Sequence, residues 1–472
     1  MADLRAPLRE ESLTMAQIPI ASDVAELIGT AAEKVENRSL LLDKFTFHKR
    51  WPLETDERGR EVKWDDASRW SFVRIADGAS QLLTREAAAK RYRAGGQNVE
   101  ADNRDRLLAE AKIAESLAKV AWDSKELSAL RSRHTRRFLS LFRGAFAARA
   151  SVTIGQLEGR LAINLADSLI TNAGISLDRL FGLPYISGSA IKGVCRHIAM
   201  EELKASTGGN QKKIFDAFRL VFGTADNDFT NGALRPFQDL LTGRAENQKG
   251  AVAFLPAYPV NEARIVVDLT NVHYPDYYRS GRPEDLAKER PQPNPFPAVE
   301  VGAQFAFCLV LNAIDDDPTL LQNAARWLES ALTIQGIGAK TAAGYGWFSL
   351  RPDVLQQLLD EDRRELDIAA AKAKAEAETK AKADAEAARR ASMPPEEQAK
   401  DRYAAMNQQD FATAVSGIAT LSVAEQKGLL LSLLLPSRRE TWKSWKKSDK
   451  PANKTRVESL AAIAKTLGIN LP

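Results

Sequence analysis

Cysteine is nearly absent from this chain: Cys195 and Cys308 are the only two in 472 residues. Two thiols cannot build a disulfide framework or supply the four ligands of a structural zinc site. Histidine is almost as scarce. His48, His134, His197 and His273 form no His-x-His or His-x-x-x-His pair, so neither a metal nor a cofactor is expected. No run reaches the roughly 18 apolar residues of a membrane span. Residues 1–20 lack the apolar core of a signal peptide, so the expected compartment is the cytoplasm. An excess of charge of one sign is missing too, with 66 Lys and Arg against 62 Asp and Glu, a net of +4. That balance excludes a histone-like cationic coat, although a basic groove offset by acidic surface elsewhere remains compatible with it.

What is present is length and ordinary globular composition. The 472 residues, 44% hydrophobic and 27% charged, are about three times a domain of roughly 150 residues, which predicts two or three folded units. Residues 1–150 read as a mostly helical region joining the core. From 101 to 149 Ala, Leu, Glu, Lys and Arg dominate, with Leu107, Leu108, Ala111, Ile113, Leu117 and Val120 at helical spacing. From Gly159 short apolar runs alternate with Gly, Pro and Asn, which predicts strands and turns. Within 151–352 the pattern predicts strands at 159–165, 252–258, 264–269, 299–312 and 344–350, with helices at 189–205 and 318–332. That order fits an α+β class with an elaborated ferredoxin-like βαββαβ core. Residues 353–393 are almost purely Ala, Lys, Glu, Asp and Arg, a solvated helical linker that holds a terminal module away from the body. Met393-Pro394-Pro395 ends it, and 394–472 reads as a small basic all-helical module with Phe411, Val415, Ile418, Leu421 and Leu429 to Leu435 as core.

Three segments carry chemistry. The loop Gly336-Ile337-Gly338-Ala339-Lys340-Thr341-Ala342-Ala343-Gly344-Tyr345-Gly346 places four glycines around a Lys and a Thr. It either cradles phosphate with backbone amides or is a tight turn whose glycines permit positive φ. It has neither Walker nor G-x-G-x-x-G spacing. The second segment is Gly-Leu-Pro-Tyr-Ile-Ser-Gly-Ser-Ala-Ile-Lys-Gly at 182–193, followed by Arg196 and His197. Ser187 or Ser189 can cap a helix there, with Lys192 and Arg196 on one face; an ordinary capped helix reads the same way. The third is Asp-Leu-Thr-Asn-Val-His-Tyr-Pro-Asp-Tyr-Tyr-Arg at 268–279, with the run 271–278 at its centre and the proline-rich 291–297 beyond. Its tyrosines can stack on bases, but pinning a long loop onto the sheet is the favoured role for Tyr274 and Tyr278.

In this order the three motifs resemble the signature set of RAMP proteins of type III CRISPR systems, most closely the sixth-subunit family of Cmr (type III-B) effector complexes. The resemblance covers 37–350. It implies an RRM-like core toward the 3′ end of a guide RNA, capping stacked backbone subunits in an antiviral ribonucleoprotein. Guide RNA and other Cmr subunits are the implied partners, with target RNA met through the complex. The residues it carries over as RNA-facing are Gly336, Gly338, Lys340, Thr341, Gly344 and Tyr345, with Ser189, Lys192 and Arg196. The segment before the first core strand and the tail after Leu350 exceed the family pattern, so no role transfers to them.

Catalysis is weighed against binding. Asp167 stands in a stretch comparable to the one holding an acidic cleavage residue in the repeated backbone subunit, but a lone carboxylate reads as a solvent or interface group. The four histidines lack an assigned partner and read as binding or surface residues. A non-catalytic role is therefore expected, with a guide-processing endoribonuclease or a free-standing RNA-binding adaptor as alternatives. The adaptor would use 436–456, where eight Lys and Arg against Glu440 and Asp449 give a net +6, interleaved with Trp442 and Trp445. Those indoles read equally as exposed stacking groups or as core.

Overall fold

In a computed structural model of the chain, residues 35–45, 67–119, 125–166, 171, 173–242, 247–272, 274–284, 292–312 and 317–472 are described. The chain divides into two compact units, Met1–Arg364 and Glu365–Pro472.

The first unit begins with helices α1 (Arg38–Lys44), α2 (Ala67–Ile75), α3 (Ala79–Ala94), α4 (Ala101–Lys119) and α5 (Lys125–Phe146). Strand β1 (Ala150–Leu157) follows, then helices α6 (Gly188–Ala205) and α7 (Gly208–Phe222). Strands β2 (Val252–Phe254), β3 (Tyr258–Pro259), β4 (Ile265–Val272), β5 (Gln292–Val299) and β6 (Gln304–Leu311) lead to helix α8 (Pro318–Ser330) and strand β7 (Phe348–Leu350). The main sheet is antiparallel in the order β2-β6-β1-β7, with β3 also paired to β6. Strands β4 and β5 form a separate antiparallel sheet of two. The fold thus mixes helix with antiparallel sheet.

Strand β6 sits at the centre and is buried on both faces. Phe305, Phe307, Leu309 and Leu311 point into a core shared with α6, α7 and α8. Ala306, Cys308 and Val310 point into a second core with Leu139 and Phe142 of α5 and with Val354 and Leu358. Period-two alternation in a doubly covered strand gives a continuous apolar run, and Phe-Ala-Phe-Cys-Leu-Val-Leu is that run. Helix α8 starts where Asp317 accepts hydrogen bonds from the Thr319 amide (2.9 Å) and hydroxyl (2.7 Å), with Pro318 in the first turn. Its buried Leu320, Leu321, Ala324, Trp327 and Leu328 recur at helical spacing toward the sheet.

The β4–β5 sheet packs on the N-terminal helices. Its link to them is polar: the Asp77 amide donates to the Ile265 carbonyl (2.9 Å), the Ile265 amide donates to the Asp77 carboxylate (2.7 Å), and Arg38 pairs with that carboxylate at 2.6 Å. Strand β5 tolerates Pro293, Pro295 and Pro297 because of register. Val299 exchanges hydrogen bonds with Leu161, away from β4, so by alternation the three prolines also face away from β4 and remove no ladder donor. The same prolines close that edge to further strand pairing.

Several expected elements shift. The first core strand is β1 at 150–157, not 159–165. In the latter segment Leu161 and Ala162 make isolated bridges to Val299 and Ala339, and Asn164 has φ +57°. The segment is apolar because it crosses buried ground, not because it is paired in a ladder. The strands expected at 252–258 and 264–269 are not mutual partners: the former breaks into β2 and β3 on β6, and the latter is β4, paired with β5. The long strand expected at 299–312 starts at 304, since 300–303 turns between β5 and β6. The last strand begins at Phe348, because 344–346 belongs to the glycine loop.

The second unit contains most of α9 (Pro352–Ser392), followed by α10 (Pro395–Ala405), α11 (Gln408–Ser416), α12 (Val423–Ser432), α13 (Pro436–Lys446) and α14 (Pro451–Leu467). Its own core joins Tyr403, Phe411, Val415, Ile418, Leu429, Leu430 and Leu433 with Trp442 and Trp445. Leu434, expected inside, is 42% exposed. Among the described residues no helix is long and apolar enough to cross a membrane.

Phe307 is fully buried and meets Phe348 edge-on at 5.4 Å. Phe307→Ala is expected to cost about 3–5 kcal/mol, read as a lowered urea midpoint of the tertiary fluorescence transition.

Candidate nucleic-acid interface

The start of α6 is fixed by close backbone approach. Ile186 exchanges hydrogen bonds with Ala257 (3.0 and 2.9 Å), and a Cβ on Gly188 would stand 2.1 Å from the Phe254 carbonyl oxygen. Only glycine lets the helix begin there. Ser187, not Ser189, is the cap: its Oγ accepts from the Ala190 amide at 3.3 Å, while Ser189 is exposed with its hydroxyl 3.1 Å from that of Ser187. One turn in, Lys192 is half-buried and has no ion pair or side-chain hydrogen bond among the described residues. Burial, then the neighbouring Arg196, pulls its pKa below the usual lysine value. Arg196 is better satisfied, 3.6 Å from Asp228 and stacked 5.1 Å over the Phe218 ring. The two cations do share a face, as their spacing predicts.

The glycine loop leaves α8 through the π-type turn Ala331–Gln335, which contacts α6. Positive φ occurs at Gly336 (74°), Gly338 (99°), Lys340 (61°), Gly344 (90°) and Gly346 (68°). Two of these glycines are also sterically obligatory: a Cβ would meet the Ala162 carbonyl oxygen at 2.5 Å from Gly338 and the Ile337 carbonyl oxygen at 1.8 Å from Gly346. The loop is laced to the 160–162 segment by Gly346 N–H to Arg160 (2.8 Å) and Ala339 N–H to Ala162 (2.7 Å), and closed on itself by Ile337 N–H to Gly346 (2.8 Å). The glycines build the tight turn that was one of the two alternatives, and that turn leaves the Lys340, Thr341 and Ala342 amides without hydrogen bonds among the described residues. Gly344, exposed and with open space around its Cβ position, forms the rim.

Two predicted residues are committed to internal partners. Lys340 Nζ donates to Thr270 Oγ1 at 2.8 Å and lies 5.2 Å over the Phe296 ring. Tyr345 Oη donates to Asp268 at 2.6 Å, and Arg160 pairs with the same carboxylate at 2.8 Å. Burial raises the Asp268 carboxyl, but hydrogen bonds from Tyr345, Arg160 and the Leu269 amide outweigh it and hold the group below the usual carboxylate range. Burial and the bond to Asp268 push the Tyr345 phenol up to about 12. Sequence reasoning missed Arg160, Asp268, Thr270 and Phe296 as supports of the loop. They lie some 40 to 190 residues from it in the chain, and no local pattern joins them.

Asp167, His48 and His273 lie outside the described residues. His197 is exposed on α6, and His134 packs 4.4 Å from the Phe181 ring. Tyr278 is 72% exposed, so it does not pin the loop as expected; the short helix Pro275–Ser280 presents it to solvent. Among the described residues no group of three or more His, Cys, Asp or Glu could hold a metal ion. Burial pushes both cysteine thiols up to about 12.

The scaffold thus combines a capped helix start that carries a half-buried lysine, without an ion pair among the described residues, and a glycine loop with three amides left open. Residues 167–349 match the RAMP superfamily. The chain is also similar to the CRISPR system Cmr subunit Cmr6 of Pyrococcus furiosus, 29% identical over 228 residues, covering 40% of this chain and 64% of that protein. The chain thus spans a little under two thirds of the curated relative it matches. Solved structures with matching chains include type III-B Cmr-beta bound to cognate target RNA (19% identity, 58% of this chain and 89% of that one, TM-score 0.38). Cmr6 from Pyrococcus furiosus is another (24% identity, 43% and 98%, TM-score 0.26).

Two substitutions separate strain from collision. Gly344→Ala meets only the left-handed backbone penalty, about 1–2 kcal/mol, whereas Gly346→Ala displaces backbone and is expected to cost about 4 kcal/mol or more, both by urea unfolding. The depressed Asp268 carboxyl stabilises the fold above its unfolded pKa of about 3.9 and loses that contribution as pH falls through the folded value. The stability advantage of the wild type over Asp268→Asn should therefore be flat at neutral pH and shrink below pH about 4.

Proposed function

We propose that the chain is a non-catalytic RAMP subunit of a type III-B CRISPR (Cmr) effector ribonucleoprotein. In this reading it binds the guide RNA by its backbone toward the 3′ end, caps and helps assemble the backbone filament, and works in the cytoplasm with other Cmr subunits as partners. The observation that carries the reading is Lys192: an ammonium left half-buried and unpaired beside the Ser187-capped start of a helix, in a chain similar to Cmr6. A lysine so placed is stabilised when an anion arrives, since the incoming charge restores what burial removed. Ser189 and Arg196 flank it. Across the loop, Gly336, Gly338 and Gly344 shape the turn, the Lys340 and Thr341 amides face a neighbouring phosphate, and Tyr345 holds the loop in place.

The core is read as an elaborated ferredoxin-like, RRM-like βαββαβ unit made of β1, α6, β2, β6, α8 and β7. Supporting this is the strand order β2-β6-β1-β7, which places the first strand of such a unit beside the third. In domain terms we read 1–150 as a helical region joining the core, 151–352 as the RAMP core, 353–393 as a linker and 394–472 as a helical module. The non-catalytic assignment is supported by the character of the site, which offers cations and amides while the described carboxylates beside them are already engaged, Asp268 by Arg160 and Tyr345 and Asp228 by Arg196.

Phosphate recognition of this kind tolerates sequence and weakens steeply with salt. Coexpressed with the other subunits, Lys192→Ala is expected to lower guide affinity about tenfold, or about 1.4 kcal/mol. Lys340→Ala, whose ammonium must first leave Thr270, should have a smaller effect. Unchanged assembly and guide occupancy in the double variant would refute the reading. Labelled repeat RNA incubated with the chain in EDTA should stay intact, and defined cleavage products would mark an endoribonuclease instead.

A further inference from the structure

A marked charge asymmetry lies inside the second unit. Helices α10 to α12 carry three Lys and Arg against five carboxylates, whereas 436–467 carries nine against three. Two of the nine are structural. Arg438 is buried over the Phe411 ring with its guanidinium on the Tyr403 and Met406 carbonyls, and Arg456 is bound to Ser416 and Asn453 over Trp445. The others are exposed. Arg439, Lys443 and Lys446 recur along α13 at spacings that keep them together, Lys447 is its C-cap, and Lys450 is the N-cap of α14.

Little offsets this charge. Glu440 is bound to Lys443 at 2.9 Å, and that bond, with Lys443, Arg439 and Lys447 all near, holds its carboxyl below the usual range. Asp449 faces Lys454 at 3.3 Å. Arg439, Lys447 and Lys450 make no ion pair or side-chain hydrogen bond among the described residues.

The indoles decide what such a face can hold. Trp442 and Trp445 are 3% and 7% exposed; the first donates its N–H to the Pro472 carbonyl at 2.7 Å and the second stacks on Phe411. Among the described residues α13 and α14 expose no large apolar side chain. A protein partner normally needs a desolvated aromatic or apolar centre, and a membrane surface needs side chains to bury in it. Neither is on offer, nor is a platform on which bases could stack. A polymer with regularly spaced charges needs none of these.

We propose that α13 and α14 form a phosphate-backbone surface for single-stranded nucleic acid, with Arg439, Lys447 and Lys450 as the principal contacts and no base readout. The surface belongs to the second unit and does not rest on the role given to Lys192 and the glycine loop. Because its contacts are to phosphate alone, RNA and DNA strands of equal length should bind within about threefold of each other, as should oligo-U and oligo-A.

The test uses the full chain and fluorescein-labelled RNA and DNA strands of about 20 nucleotides, with anisotropy followed across a potassium chloride series. The triple variant Arg439→Gln, Lys447→Gln, Lys450→Gln should lower the salt slope by about 2, at about 0.7 per lost contact, and weaken binding on the order of 10- to 100-fold near 0.1 M salt. The charge-keeping variant Arg439→Lys, Lys447→Arg, Lys450→Arg should retain slope and affinity. Both effects should persist in a Lys192→Ala, Lys340→Ala background, which separates this surface from the core site. An unchanged slope in the triple variant overturns the proposal. So does loss of binding in the charge-keeping variant, displacement by polyglutamate as effective as by RNA, or equally tight binding to phosphatidylserine vesicles.

Discussion

Double-sided burial of one eight-residue strand governs the first unit. Strand β6 gives its phenylalanines and leucines to one core and its alanine, cysteine and valine to another, so its register with β1 sets both cores at once. A slip of one residue would exchange Phe307 for Cys308 across the sheet and leave one core overfilled and the other hollow. That constraint fixes β1 and places β7 at its far side. Through α8 and the turn after it, it also sets where the glycine loop emerges.

The loop itself is held by contact distances that exclude side chains. Gly159, Gly338 and Gly346 each abut a carbonyl oxygen closer than any Cβ permits, so the loop and the 159–162 segment behave as one laced piece. Bonding Lys340 to Thr270 and Tyr345 to Asp268 spends two polar side chains on stiffness. What remains without a partner among the described residues is the run of amides at 340–342 and the Lys192 ammonium. A loop held in this way has little left to rearrange, and preorganisation of that kind lowers the ordering cost of binding in general.

Charge is divided between the units in the same spirit. The 27% of charged residues nearly cancel over the whole chain, yet individual cations differ greatly in how free they are. Arg196, Arg160 and Arg438 are paired or stacked, while Lys192, Lys447 and Lys450 have no such partner among the described residues. Counting charges in sequence ranks all of these alike, although a paired arginine mostly holds structure and an unpaired lysine is available to a partner.

The sequence by itself determined the elements with strong local signals. Helix α6 was legible from a Ser187 or Ser189 cap and the Lys192–Arg196 spacing, α8 as a span at 318–332, and the long α9 from its Ala, Lys and Glu composition. The order of the three motifs pointed to the superfamily. Tertiary structure decided the rest, because it turned on contacts between residues far apart in the chain. Whether 159–165 is a strand depended on its partner strands, and 264–269 joined the proline-bearing β5 because alternation turns those prolines outward. The two tryptophans of α13 became core only once Phe411 was folded against them. Likewise the freedom of Lys192 and the confinement of Lys340 are not properties of either residue's neighbours in sequence; they follow from which side chains the packed sheet and helices bring within hydrogen-bond reach.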